Sequence, residues 1–348
     1  MGRRSWVGAG LGAALVGAVG VGLLVAPAGA AAAPPLPPVS PEDLVSSVMT
    51  ARPGAFAGEV DVDNALGLPA VPGVPQLANG TSTIRVWSGG EGRGRVAIPS
   101  GDSERTLVSD GTTRWSYDSR DRTATRAPAG GGRGGPPGDA GAQDPTAAAT
   151  QAVATLRQSS TVTVDGTAEV AGRAAYQLVL TPLPTERTLL REVRVAVDAE
   201  TRQPLELTVL AQGSGEPALQ VGFSQITYGP QDPALFTFTP PPGTTVRGAP
   251  GPDGQHRDGQ RPGGDGQRPT RVGDGWDTVL IGRAPQPQQG QQRPDGAPDL
   301  STLGTPVSGP WGAGRVITTA VATVIVTDDG RIAAGAVPQQ VLTEALAR

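Results

Sequence analysis

The chain has 348 residues, no cysteine, a single histidine and a formal net charge of −4. Without cysteine there is no disulfide, no thiol nucleophile and no lipid-modified N-terminal cysteine. All 28 basic side chains are arginine and are scattered, so no basic patch points to nucleic acid or nucleotide.

The first 33 residues have the three parts of a secretory signal. Arg3 and Arg4 precede an uncharged apolar run from Val7 to Ala26, and Ala28-Gly29-Ala30 offers an Ala-x-Ala exit. The run is long enough to span a bilayer, although it contains six glycines. Residues 1–33 are therefore read as a signal peptide or a retained signal anchor. The rest of the chain is expected outside the cytoplasm, in a periplasm-like space or the cell envelope.

Next comes a short helix over Pro41–Met49, with Ser40 as N-cap. The pattern then alternates with period two through Gly58–Asp63, Thr83–Trp87, Arg95–Ile98, Glu104–Val108 and Thr113–Tyr117. Asp110-Gly111 between the last two runs is a hairpin signal. Residues 127–144 are rich in glycine and read as a flexible insertion. A helix is expected over Pro145–Leu156, with Asp144 as N-cap and Val153 and Leu156 on its apolar stripe.

Strands resume at Ser160–Val164, with a turn expected at Asp165-Gly166. They continue through Arg173–Leu180, Leu190–Val197, Pro204–Leu210 and Leu219–Tyr228, and end with Phe236-Thr237-Phe238. Half of Gly248–Pro269 is glycine or proline, so 247–270 reads as a disordered linker that cannot bury enough apolar area to fold. Beyond it, Gly275–Ile281 and Gly314–Thr327 read as single strands, and Val341–Leu346 as a short helix. Residues 285–298 read as flexible, and the strands of 271–348 are expected to pack on the main sheet.

The implied fold is α+β. It is an antiparallel sheet of about ten or more strands with one to three helices, because the crossover helices of a parallel sheet are missing.

Three motifs in this order carry a resemblance. Asp110-Gly111 followed by Trp115, Tyr117 and Asp118 resembles a hairpin of the LolA-like periplasmic lipoprotein carriers, although Ser119 stands where proline is common. Asp198, Thr201, Pro204 and Leu205 resemble a turn shared with the sigma-E regulatory proteins of the RseB/MucB type, with Gln203 in place of a small residue. Phe223, Ile226 and Leu235–Gly243 resemble the closing segment of these folds. The likeness covers residues 40–246; the linkers and the C-terminal strands look more like those of actinobacterial relatives. It implies an unclosed half-barrel with an apolar face that binds the acyl chains of lipids or lipoproteins. A membrane-bound regulator such as an anti-sigma factor is the alternative partner, and a structural module with a filled core and no ligand is the third reading.

An apolar cavity needs inward side chains with no polar partner. The candidates on one face are Val60, Val62, Ile84, Val86, Val96 and Ile98, continued by Trp115 and Tyr117, then by Leu178, Leu180, Val193 and Val195. Trp115 is placed best to cover a chain at the rim. Asp61, Asp63 and Asn64 lack the later glycine and glutamate of a calcium loop. His256 lies in the linker, which argues against zinc or a serine triad. No cofactor and no catalytic residue is assigned, and the protein is expected not to be an enzyme.

Overall fold

A computed structural model describes residues 36–52, 54–68, 79–129, 145–248, 269–283 and 304–348, the side chains of 145–149 excepted. Residues 1–33, expected to be a signal peptide or anchor, and segment 285–298 lie outside the described residues, as do Asp144, His256 and most of 127–144 and 247–270.

The chain opens with α1 (Pro41–Thr50), whose Ser40 Oγ accepts a 3.1 Å hydrogen bond from the Asp43 amide. A meander follows: β1 (Phe56–Asn64), β2 (Gly80–Gly90), β3 (Arg93–Ser100), β4 (Ser103–Asp110), β5 (Thr113–Asp118) and β6 (Thr123–Pro128). After α2 (Pro145–Leu156) a second meander runs through β7 (Ser160–Val170), β8 (Arg173–Pro182), β9 (Leu190–Asp198), β10 (Pro204–Ala211) and β11 (Pro217–Tyr228). Strand β11 pairs with β1, which fuses the two meanders. With β12 (Thr245–Gly248) added parallel to β6, this makes one sheet of 12 strands in the order β12-β6-β5-β4-β3-β2-β1-β11-β10-β9-β8-β7. Its end strands do not pair with each other, so the sheet is unclosed, and the expected α+β class is borne out.

The two faces of this sheet are covered differently. Over β7–β9 one face is covered by the helices. Leu44 of α1 is fully buried and clusters with Tyr176 and Val197, flanked by Val164, Leu178 and Val195. Helix α2 packs on α1 and β7. The other face is crossed, over β2–β5, by the segment between β11 and β12. Its 3-10 turn Pro233–Phe236 seats the buried Phe236 against Gly89, where a Cβ would fall 2.6 Å from the ring. Phe236–Phe238 is thus a strap rather than the expected strand: Asp232 caps the turn and Pro233 starts it.

The remaining strands form a separate sheet of six: β13 (Thr270–Val272), β14 (Val279–Arg283), β15 (Thr305–Gly309), β16 (Gly312–Thr318), β17 (Thr323–Thr327) and β18 (Arg331–Gly335), in the order β13-β14-β18-β17-β16-β15. They pair with one another, and α3 (Gln339–Leu346) closes their core with Val341, Leu342, Ala345 and Leu346.

Three local expectations are corrected. Asp165-Gly166 is a bulge inside β7, where the register shifts between Val164 and Thr167. The turn comes later at Ala171-Gly172, both at positive φ. Gly314–Thr327 is a hairpin, because the Thr319 side chain accepts from the Ala322 amide at 2.9 Å and turns the chain without glycine or proline. Residues 275–278 precede β14 and are used at the sheet junction instead of in a strand.

Candidate functional site

Directly paired residues of neighbouring strands share a face, and successive residues alternate faces. The ladder places Val86 opposite Val96, Val96 opposite Leu107, Leu107 opposite Ser116 and Ser116 opposite Thr125. The next row of the same face is Ser88, Gly94, Ser109, Arg114 and Ala127. These two rows are the floor of a trough of about 840 Å³ across β2–β6. Phe56 and Phe223 wall it at the β1–β11 side, with ring centroids 5.9 Å apart and nearly perpendicular. Glu91, Gly92 and Arg93, at the β2–β3 hairpin, form one end.

The trough exists because this half of the face has no helix over it. Its aliphatic side chains are half-buried at most, and Leu107 is 39% exposed. The opposite face holds the fully packed partners of the same strands: Ala97, Thr106, Val108 and Ala124 are all buried there. An alternating strand buries one face first. Here the buried face lies under the strap, and the apolar row of Val86, Val96 and Leu107 is left over.

Ten of the sequence-predicted positions share the face of the trough. Val86 and Val96 are in its floor. Val60 pairs with Ile84 on β1 and β2, Val62 follows Val60 by one alternation, and Ile98 follows Val96. Leu178 pairs with Val195, and Leu180 with Val193. None of these ten is fully buried. Leu178 and Val195 lie beside Leu44, so α1 already covers that end.

Trp115 and Tyr117 do not continue this face. They pair with Val108 and Thr106, one step out of phase with Leu107. Their rings stack against Phe238 of the strap, with centroids 5.4 and 5.6 Å away. Trp115 still borders the trough, between its two rows. The sequence reading missed the shift because the β4–β5 hairpin sets the phase. Asp110 Oδ1 accepts from the Thr112 and Thr113 amides, both at 2.7 Å, and this turn puts odd-numbered residues of β5 opposite even-numbered residues of β4. Leu107, Phe56 and Phe223 were not among the predicted cavity positions; Leu107 and Val108 are adjacent apolar residues that point to opposite faces, and only the ladder decides which of the two is buried.

Polar groups gather at the end where β1 starts and β9 and β11 end. Asp198 is wholly buried and is paired with Arg173 through Nε and, at 3.1 Å, Nη2. Burial pushes its carboxyl up, but the Arg173 guanidinium and the amides of Thr201 and Glu200 outweigh it and hold the pKa below the usual carboxylate range. The Arg173 guanidinium also stacks on Tyr228, 4.8 Å from the ring centroid, and its own pKa is raised by the hydrogen bond to Asp198. This is a structural anchor of the Asp198–Leu205 turn. Asp61 and Asp63 accept hydrogen bonds from Thr83 and Thr81 across the β1–β2 ladder. Among the described residues no group of three or more His, Asp or Glu is placed to hold a metal, and no helix is long and apolar enough to cross a membrane.

No family model matches the chain, and no curated protein does. Among solved structures it is similar to the MucA/MucB complex of Pseudomonas aeruginosa at 17% identity, covering 87% of this chain and 94% of that one, with a TM-score of 0.44. It is similar to a LolA superfamily protein of Nitrosomonas europaea at 13% identity, covering 58% and 99%, with a TM-score of 0.25. An uncharacterized conserved protein of Thermus thermophilus shares 11% identity over 60% of this chain and 98% of that one, with a TM-score of 0.36.

Proposed function

We propose that the protein is an exported, non-enzymatic binder of acyl chains, acting as a carrier of lipids or lipoproteins in the cell envelope. The observation that carries this is the uncovered apolar row Val86–Val96–Leu107, in a trough walled by Phe56 and Phe223. A filled core would bury these side chains as completely as Ala97 and Val108 are buried on the other face. Each methylene moved from water into the trough contributes about 0.8 kcal/mol. Ser88, Ser109 and Ser116 give the floor enough polarity for reversible binding. The test is native mass spectrometry of the exported protein purified without detergent. Added mass that matches acyl lipids and is lost on denaturation supports the carrier. A bare polypeptide that stays bare in the host's lipid extract sinks it.

The second sheet favours one further reading, a sensor that holds a membrane-bound regulator such as an anti-sigma factor. It has its own core and helix, and the carrier reading gives it no task. Solved complexes of MucB contain MucA. A photo-crosslinker at the exposed Leu280 of β14 would join a membrane protein in a lipid-dependent way if this holds. Loss of the adduct in lipid-free and lipid-loaded protein alike would leave only the carrier.

A further inference from the structure

Arg93 belongs to two cavities. It closes the hairpin end of the trough, and it also lines a second cavity of about 520 Å³. This cup lies past the ends of β1, β2 and β11, with Gly89, Thr201, Tyr228, Gln231 and Phe236 around it and no carboxylate in its lining. The hydroxyls of Thr201 and Tyr228 are 3.0 Å apart. Burial raises the Tyr228 pKa, so its phenol stays protonated at neutral pH.

The guanidinium is only partly used. Nη2 donates to the Gly89 carbonyl at 2.9 Å. Nε is buried and has no hydrogen-bond partner among the described residues. A buried donor left without an acceptor bears its full desolvation cost. Its ion-pair partner is Glu91, 3.6 Å from Nη2 and 89% exposed, a solvated and screened contact that does not occupy Nε. A planar fork with an open donor fits a carboxylate or a phosphate.

We propose that trough and cup form one continuous site for an anionic amphiphile, with its chain along Val86, Val96 and Leu107 and its carboxylate or phosphate on Arg93. The inference rests on the acyl-binding reading of the trough and narrows it to ligands with a charged head.

The test uses the full exported chain, stripped of lipid, and follows the fluorescence of Trp87 and Trp115, which border the trough. It is titrated with hexadecyl phosphate, hexadecanol and inorganic phosphate, the first two below their micellar concentrations. Hexadecyl phosphate is expected to bind at least about tenfold more tightly than hexadecanol, the gain of one charge-assisted hydrogen bond. Arg93→Gln should bring that ratio to about one, and Arg93→Lys should restore part of it. Equal affinities in the native protein, or a ratio that survives Arg93→Gln, overturn the head-group site and leave the trough standing. Inorganic phosphate binding as tightly as hexadecyl phosphate also overturns it, since the cup would then serve a free anion. No binding of either amphiphile overturns the trough reading together with this one.

Discussion

The indole N–H of Trp276 donates to the buried hydroxyl of Ser160 at 2.7 Å, which ties the six-stranded sheet to the edge strand of the larger one. Around this bond the junction is polar. Glu186 accepts from the Trp276 amide at 2.7 Å, the Thr188 hydroxyl donates to the Ala336 carbonyl at 2.6 Å, and Arg187 forks onto Glu344 at 2.7 and 3.0 Å. The six-stranded sheet has its own apolar core, so the two parts are joined by hydrogen bonds more than by shared burial. Trp276→Ala should release the smaller sheet without unfolding it. Calorimetry should then resolve two transitions, with proteolytic cleavage rising near residues 273–278. A single unshifted transition would count against this account of the junction.

Under the proposed acyl-binding role, Leu107 and Tyr117 should separate ligand binding from stability. Leu107 is open in the trough, so Leu107→Asp should change stability by no more than about 1 kcal/mol. It should weaken acyl binding at least about tenfold, because the carboxylate must be desolvated beside the chain. Tyr117 lies on the other face against Phe238. Tyr117→Leu should lose roughly 0.5–1.5 kcal/mol of ring contact and leave acyl affinity as it is. Denaturant midpoints and lipid titrations on both variants check this, and the reverse pattern would falsify the assignment of faces.

Leu44 is the largest side chain fully buried under α1. Leu44→Ala should cost about 2–5 kcal/mol through lost transfer energy and a residual cavity. Since α1 covers only the β7–β9 end of the face, the same variant should extend the apolar surface. Greater binding of a hydrophobic dye in its native state is the expected signature.

Asp198 makes stability depend on acid. Its carboxyl is held below the ordinary value of 3.8 in the fold. A depressed folded-state pKa gives stability that is present above the unfolded value and is lost as pH falls through the folded one. The native protein should therefore lose stability as pH drops from about 4 downward. Asp198→Asn should flatten that slope and lower stability at pH 7, because Arg173 is left without its buried partner. Melting curves between pH 7 and pH 2 compare the two slopes.

Much of the large sheet was legible from its strands. Period-two runs, Ser40 before Pro41 and Pro145 at the start of α2 each act locally, through alternation, capping and a fixed φ. The short edges were not. β12, β13 and β15 are three to five residues long, and their composition resembles loops, because edge strands gain order from their neighbours instead of from their own pattern. The hairpin at Thr319–Ala322 was hidden for a related reason: one threonine hydroxyl bends an otherwise continuous apolar run.

By itself, the sequence determined that a cysteine-free chain with an export-like start would make antiparallel strands with one apolar face, because side-chain alternation is local. It singled out ten aliphatic positions that do share a face. Only the tertiary structure decided which part of that face stays open. That depends on where α1 and the Phe236–Phe238 strap come to rest, and on the phase that the Asp110 turn imposes on Trp115 and Tyr117. These are contacts between residues far apart in the chain, set by packing and ladder register, and no window of sequence contains both partners.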